Sequence, residues 1–187
     1  MKYLLIIGDG MADNPVPELG GKTPLEAASI PAIDALAARG VVGSVINCPK
    51  PLPAGSETGI LSIFGCDPLR YFTGRSPMEA PDECTHNGDL PGKLLPIEWL
   101  SSRLVAPLVE RMEAAGMEHR ILLLADHKTL TATRGHDGDP VPFLLYDSRH
   151  DSGRGGVYTE REGEKGPFLE QGCELLDYLF ERKSLKE

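Results

Sequence analysis

Residues 3–13, YLLIIGDGMAD, join an apolar run to an aspartate that stands between two glycines. The run has the length of a strand, and its unbroken apolar character is typical of a strand covered on both faces. A dinucleotide-binding fingerprint would need glycine at position 13, where the chain has Asp13. Asp9 is therefore either a turn residue or a ligand that a strand delivers at its end.

Composition and charge narrow the class of protein. The 187 residues suffice for one domain with a substantial core, and the formal net charge is −9 at pH 7. This acidic balance argues against a nucleic-acid binder that relies on a basic face. The four cysteines are scattered without a CxxC pair, as is typical of reduced cytosolic thiols. With no apolar run near about 18 residues, we expect neither a membrane span nor a secretion signal, and hence a cytoplasmic protein.

Strand and helix patterns alternate along the chain and predict an α/β fold, a mostly parallel sheet flanked by helices in a single domain over 1–187. The Thr23-Pro24-Leu25-Glu26 stretch has the form of a capping box at a helix start. Residues 151–166, rich in Gly, Arg and Glu, are expected to form an exposed loop. Strands are predicted at 3–7, 41–46, 120–125 and 141–146, and helices at 31–39, at 100–112 with an interruption at Pro107, and at 169–180.

The stretch 65–98 departs from this alternation. It contains five prolines and no apolar run of strand length. Loops in compact domains have a median of about 4–6 residues, so an unstructured stretch this long is unusual. Either a functional loop lies here or an internal segment has been removed.

Residues with ligand chemistry follow two of the predicted strands. Asp126 and His127 come directly after the apolar run RILLLA, as Asp9 comes after its own run. Open α/β sheets place their chemistry outside the carboxyl ends of the strands, so Asp9 and Asp126 are expected to meet at one edge.

Three further residues extend the ligand set. Asp82 and His86 lie four apart and would share one face of a helical turn, and His136 lies just before the strand at 141–146. Any one of these histidines is more often a surface or packed residue than a ligand. Together, carboxylates and imidazoles make a mixed oxygen and nitrogen set that suits Mn²⁺ or Zn²⁺ better than Ca²⁺.

Ser56 is the candidate nucleophile. It lies in PAGSETGILSIFG (53–65), where apolar residues at helical spacing follow it, so it stands at a helix N-terminus that favours anions. Two interpretations remain open: an ordinary N-cap serine, or a metal-activated hydroxyl that accepts a phosphoryl group. The chain has no GxSxG elbow, so serine-hydrolase chemistry is disfavoured.

Six blocks of the chain resemble the archaeal-type cofactor-independent phosphoglycerate mutases of the alkaline phosphatase superfamily. The blocks are LLIIGDGMAD (4–13), GGKTPLEAASIPAIDALAARG (20–40), GSETGILSIFGCDPLRYFTGRSPMEA (55–80), PDECTHNGD (81–89), LLLADHKT (122–129) and HDGDPVPF (136–143). The resemblance implies an alkaline-phosphatase-like metalloenzyme core with two divalent ions, Mn or Zn, and no 2,3-bisphosphoglycerate. It implies one metal on Asp9, Ser56, Asp126 and His127, and a second on Asp82, His86 and His136.

The resemblance also implies a reaction. Ser56 would be phosphorylated while 3-phosphoglycerate and 2-phosphoglycerate interconvert, a step of glycolysis and gluconeogenesis. Arg70, Arg75 and Lys128 are the cations expected near this substrate. Neither nucleic acid nor membrane is expected as a partner, and the sequence gives no indication of the oligomeric state.

The chain departs from the family where Met78-Glu79-Ala80 runs straight into Pro81. Family members carry an inserted lid-like domain at this point, and a strand there delivers the aspartate that matches Asp82. We therefore predict an internal deletion near 78–81. Without a lid, two alternatives to the mutase stay open: a metal-dependent phosphohydrolase that uses the same serine, and a catalytically silent metal-binding core.

Overall fold

Seven strands are present in the parts of the chain that the computed structural model describes, which are residues 1–74, 90–153 and 156–185. Five of them form a central sheet in the order β1-β3-β6-β2-β7, and β4 pairs with β5 in a separate hairpin. The strands are β1 (Lys2–Ile7), β2 (Val41–Val45), β3 (His119–Leu124), β4 (Lys128–Leu130), β5 (Gly135–Asp137), β6 (Val141–Asp147) and β7 (Phe168–Leu169).

Four of the five central strands run in one direction, which confirms the mostly parallel sheet. β1 pairs with β3 in parallel and β2 pairs with β7 in parallel, whereas β6 is antiparallel to both of its neighbours, β3 and β2. The carboxyl ends of β1, β2 and β3 therefore share one edge of the sheet. Because β6 is reversed, it begins at that same edge, with Val141 opposite Val45.

The helices flank this sheet, and the predicted helix from Pro31 to Arg39 is confirmed. They are α1 (Pro24–Ala27), α2 (Pro31–Arg39), α3 (Ser56–Ile63), α4 (Pro68–Tyr71), α5 (Leu90–Trp99), α6 (Ala106–Ala114), α7 (Glu160–Lys165) and α8 (Leu175–Leu179). A π-helical segment, Leu100–Val105, joins α5 to α6. The expected interruption at Pro107 coincides with this change of helix type, since Pro107 lies in the first turn of α6 and has no N–H to donate. None of the described helices is long and apolar enough to cross a membrane.

The core is built around β3. Its residues Ile121, Leu122, Leu123 and Leu124 are all fully buried. Successive side chains of a strand point to opposite faces, so burial of four in a row means that both faces of the sheet are covered here. This burial explains why β3 appears in the sequence as an unbroken apolar run.

Two expectations for the C-terminal third are wrong. The stretch 151–166 is not simply an exposed loop, because it contains α7 and the fully buried Tyr158, whose hydroxyl donates to the Pro142 carbonyl at 2.9 Å. Thr159 begins α7 by accepting a hydrogen bond from the Glu162 amide at 3.1 Å. The helix predicted over 169–180 is shorter, since Leu169 belongs to β7 and α8 begins only at Leu175.

The capping box at Thr23 is confirmed and also anchors a buried carboxylate. The Thr23 hydroxyl oxygen accepts from the Glu26 amide at 3.1 Å, and Glu26 accepts from the Thr23 amide at 3.0 Å. The same hydroxyl donates to Glu160 Oε2 at 2.6 Å, while Glu160 Oε1 accepts from the Asp13 amide at 3.2 Å. Burial raises the pKa of Glu160. The network ties α1 and α7 to the loop that follows β1.

Replacing Thr23 by alanine tests this network. Thr23→Ala removes the helix cap and a hydrogen bond to a buried carboxylate, so we expect the free energy of unfolding to fall by about 2–4 kcal/mol. Thr23→Ser keeps both interactions and should cost less than about 1 kcal/mol. Urea unfolding of the two variants measures the difference, and equal stabilities would contradict the role given to the hydroxyl.

Candidate functional site

The register of β1 and β3 brings two aspartates together. Ile7 pairs with Leu124, and the Gly8 amide donates to the Leu124 carbonyl at 2.9 Å. Asp9 and Asp126 each lie two residues beyond this pair, at the carboxyl ends of neighbouring strands. The Asp126 side chain is fully buried, whereas that of Asp9 is 65% exposed.

The two glycines that flank Asp9 are each required for a different structural reason. Gly10 adopts a φ of +69°, a left-handed conformation that other residues rarely take. A Cβ on Gly8 would collide with Sδ of the buried Met11. The tight turn therefore carries Asp9 out of the strand while Met11 fills the space beneath it.

His127 completes the cluster that the described residues form. Its Nε2 lies 3.3 Å from Asp126 Oδ2 and 3.9 Å from Asp9 Oδ1. One ligand atom from each of these three residues lies within 4.8 Å of the others. The predicted meeting of Asp9 and Asp126 is thus found at the sheet edge, together with the imidazole that follows Asp126.

The hydrogen bonding of His127 indicates which of its nitrogens is free to bind a cation. Its Nδ1 lies 3.1 Å from the Lys128 carbonyl, which can only accept, so Nδ1 carries the proton in the neutral ring. Nε2 then presents a lone pair toward two carboxylates. Metal-binding histidines commonly have this arrangement, with the second ring nitrogen donating to a backbone carbonyl.

Asp126 gives an independent sign that the cluster suits a cation. Its Oδ1 accepts from the His127 amide at 3.1 Å, but the buried Oδ2 accepts no hydrogen bond from any described residue. That oxygen lies 3.3 Å from His127 Nε2, which carries no proton in the tautomer described above, so the buried carboxylate needs a positive charge beside it. Two carboxylates and an imidazole fit a divalent ion such as Mn²⁺ or Zn²⁺.

Ser56 lies within reach of this cluster. Its Oγ is 3.2 Å from His127 Nε2. The N-cap of α3 is Gly55, and Ser56 is the first helical residue, so the interpretation of Ser56 as an ordinary N-cap is wrong. A Cβ on Gly59 would come within 2.6 Å of the Asp126 carbonyl oxygen, so glycine lets α3 pack directly against the end of β3.

His136 reaches the cluster through the β4–β5 hairpin, in which it pairs with Thr129. It lies on β5, just before β6, and its ring stacks on that of His127 with centroids 4.1 Å apart. Partial burial and the neighbouring His127 lower the pKa of His136. Asp82 and His86, its predicted companions at a second metal, lie outside the described residues.

The three predicted substrate cations have different surroundings. Arg70 is exposed on α4, with its guanidinium over the ring of Tyr71 at 5.2 Å from the centroid. The ammonium of Lys128 donates to Asn14 Oδ1 at 2.8 Å. Arg75 lies outside the described residues.

The sequence analysis did not identify two residues that support the candidate site. Asn47 is buried just beyond β2, and its amide donates to the Ala125 carbonyl at 3.0 Å, next to Asp126. The sequence signal that could have identified Asn47 is a polar residue directly after a predicted strand, at the edge where Asp9 and Asp126 lie. Cys48 Sγ lies 3.7 Å from the Gly55 carbonyl, and burial raises the pKa of its thiol to about 11.

Comparisons with known proteins match two parts of the chain to family models. Residues 37–82 match the model described as 2,3-bisphosphoglycerate-independent phosphoglycerate mutase. Residues 74–180, more than half of the chain, match the model of the metalloenzyme superfamily.

Named relatives agree with these models. A probable 2,3-bisphosphoglycerate-independent phosphoglycerate mutase from Geobacter sulfurreducens is 54% identical over 80 residues, which is 43% of this chain and 20% of the relative. The 2,3-bisphosphoglycerate-independent phosphoglycerate mutase from Ignicoccus hospitalis is 34% identical over 157 residues, covering 72% of this chain and 38% of the relative. The chain thus spans well under half the length of these curated relatives.

The solved structure supports the fold. A cofactor-independent phosphoglycerate mutase from Thermoplasma acidophilum superposes with a TM-score of 0.68 at 13% identity, over 98% of this chain and 100% of that one. The alkaline-phosphatase-like core expected from the resemblance is therefore confirmed as a fold.

Asp126→Asn tests the cluster as a metal site. Losing a residue that only supports a ligand typically lowers metal affinity about 10–100-fold, and we expect at least that loss when a ligand itself is changed. Calorimetric titration with Mn²⁺ and Zn²⁺ gives the affinity, with Asp139→Asn as a control at an exposed aspartate outside the cluster. Equal affinities in the two variants would exclude Asp126 as a ligand.

The thiol of Cys48 reports on the packing beneath Ser56. Because it is buried with a pKa of about 11, Cys48 should resist iodoacetamide at pH 8 in the folded chain. Cys66 is partly exposed and serves as the internal comparison. Mass spectrometry of the labelled peptides measures both rates. Labelling of Cys48 as fast as Cys66 would show that the loop before α3 opens readily.

Proposed function

The chain belongs to the metalloenzyme superfamily, and from this we propose that it is the core of a cofactor-independent phosphoglycerate mutase. In this proposal Ser56 accepts the phosphoryl group, and 3-phosphoglycerate and 2-phosphoglycerate interconvert. The observation that carries the proposal is the convergence of Ser56 Oγ, His127 Nε2 and two carboxylates at one sheet edge. Such a reaction would belong to cytoplasmic glycolysis and gluconeogenesis.

Asp9, Asp126 and His127 are the residues that would hold one divalent ion, with Ser56 as a further ligand. A bound Mn²⁺ or Zn²⁺ supplies positive charge that lowers the pKa of an adjacent hydroxyl and offsets charge on a phosphoryl group. Two observations support this assignment: neutral His127 presents a lone pair at Nε2, and the buried Asp126 Oδ2 accepts no hydrogen bond from a described residue. We assign Asp82, His86 and His136 to a second ion on the strength of the family resemblance.

In this proposal Ser56 acts as the nucleophile. Its Oγ would form a bond to phosphorus while the bond between phosphorus and a glycerate oxygen breaks. The free N–H groups at the start of α3 favour the phosphoryl anion beside it. The glycerate would then turn within the site, and the phosphoryl group would pass from Ser56 to the other hydroxyl.

Hydrolysis is the second candidate, and the openness of the site favours it. Returning the phosphoryl group to glycerate rather than to water needs an enclosed site. The Asp9 side chain is 65% exposed, and Lys128 already donates to Asn14. In the described parts of the chain, therefore, little shields the serine from water or holds the glycerate while it turns.

Ser56→Ala should abolish phosphoryl transfer from 3-phosphoglycerate. Since Gly55 rather than Ser56 is the N-cap, the free energy of unfolding should change by no more than about 1 kcal/mol. Incubation with ³²P-labelled 3-phosphoglycerate followed by peptide mapping measures label on Ser56. Ser102→Ala, at an exposed serine on the π-helical segment, is the matched control. Label retained in Ser56→Ala would remove Ser56 from the mechanism.

The products distinguish the two candidate functions. When the purified chain is incubated with Mn²⁺ and 3-phosphoglycerate, we expect weak phosphate release or no turnover, because the open site favours water over the returning glycerate. Coupled assays measure 2-phosphoglycerate and free phosphate in the same sample. Efficient formation of 2-phosphoglycerate without phosphate would show that the chain encloses its own substrate, and the predicted internal deletion near 78–81 would then be wrong.

A further inference from the structure

A cleft of about 190 Å³ opens beside Asp9. One wall is the turn that carries Asp9 and its two glycines, and the other is formed by Pro96, Ile97 and Leu100. Asp9 belongs both to this cleft and to the cluster with Asp126 and His127. The cleft therefore shares Asp9 with the candidate metal site, and its other wall is apolar.

The apolar wall is held in place by hydrogen bonds from backbone amides just before α2 and in its first turn to side chains beside the wall. The Ser29 amide donates to Glu98 Oε1 at 3.1 Å, and the Ala32 amide donates to the buried Ser101 Oγ at 3.2 Å. These bonds lie on either side of Leu100. Ile97 is buried at 3% exposure, so it forms the floor of the wall rather than a loose surface contact.

The chemistry of this cleft does not match a glycerate. A glycerate presents a carboxylate and a hydroxyl, which need donors or cations, whereas Pro96, Ile97 and Leu100 offer only apolar side-chain surface. An apolar cavity of about 150 Å³ is enough to bind benzene in another protein, so this volume suits a short alkyl chain or one aromatic ring.

Resting on the proposed phosphoryl transfer at Ser56, we propose that this cleft binds the apolar alcohol part of phosphate monoesters. In the reaction Ser56 Oγ forms a bond to phosphorus, the bond to the alcohol oxygen breaks, and the serine proton ends on the departing alcohol through solvent. Water then cleaves the phosphoserine, which restores the Ser56 hydroxyl and releases inorganic phosphate. For the hydrolysis candidate, the substrate class is thus a monoester with a short alkyl or an aryl group.

Alkylphosphonates test the cleft without turnover, because their carbon–phosphorus bond is not cleaved by this reaction. Calorimetry of the Mn²⁺-loaded chain with methyl-, butyl- and hexylphosphonate measures affinity at constant head group. Each methylene that enters the cleft should raise the affinity about two- to fourfold. Leu100→Gln should abolish this increase, Leu100→Met should keep it, and Leu104→Gln, at a 47% exposed leucine outside the cleft, should also keep it. Circular dichroism checks that each variant is folded.

The outcomes separate the cleft from the phosphoryl-transfer proposal. Equal affinity for methyl- and hexylphosphonate would overturn the apolar subsite and leave transfer at Ser56 standing. An increase with chain length that survives in Leu100→Gln would place the apolar contact elsewhere and would also overturn it. Failure of all three phosphonates to bind, with no label on Ser56 from a phosphate ester, would overturn both proposals.

Discussion

Parallel pairing of β1 with β3 sets the spacing of the whole site. With Ile7 opposite Leu124, the two strands end level, and Asp9 and Asp126 leave the sheet side by side. His127 follows Asp126 and adds an acceptor nitrogen, since its other nitrogen donates to a backbone carbonyl. Three acceptors facing one another repel unless a positive charge lies among them. Each candidate function depends on the cation that would occupy this position.

Part of this site was predictable because it depends on strand ends alone. Any mostly parallel arrangement that pairs β1 with β3 brings Asp9 to Asp126. The position of His136 was not predictable from periodicity, because it depends on the β4–β5 hairpin, in which His136 pairs with Thr129 and so returns to His127. Each of these two strands has only three residues, too few to show an alternating pattern.

Local sequence patterns also do not predict contacts between residues that lie far apart in the chain. The capping box at Thr23 was readable because its partners lie three residues apart, but the bond from Thr23 to Glu160 spans 137 residues. Likewise, the sequence left Ser56 as either a cap or a nucleophile. The cap interpretation fails because Gly55 is the N-cap of α3, and the nucleophile remains a proposal supported by the 3.2 Å between Ser56 Oγ and His127 Nε2. The buried Tyr158 was missed because a Gly-rich and charged neighbourhood surrounds a single aromatic residue.

The central claim is that Asp9, Asp126 and His127 hold a divalent ion next to Ser56, and anomalous diffraction from crystals soaked in Mn²⁺ tests it most directly. An anomalous peak at the manganese edge should lie among the two carboxylates and His127 Nε2, in contact with Ser56 Oγ. The same peak should be missing in Asp126→Asn crystals soaked in parallel. A peak bound only by other residues, or none at saturating Mn²⁺, would contradict the claim.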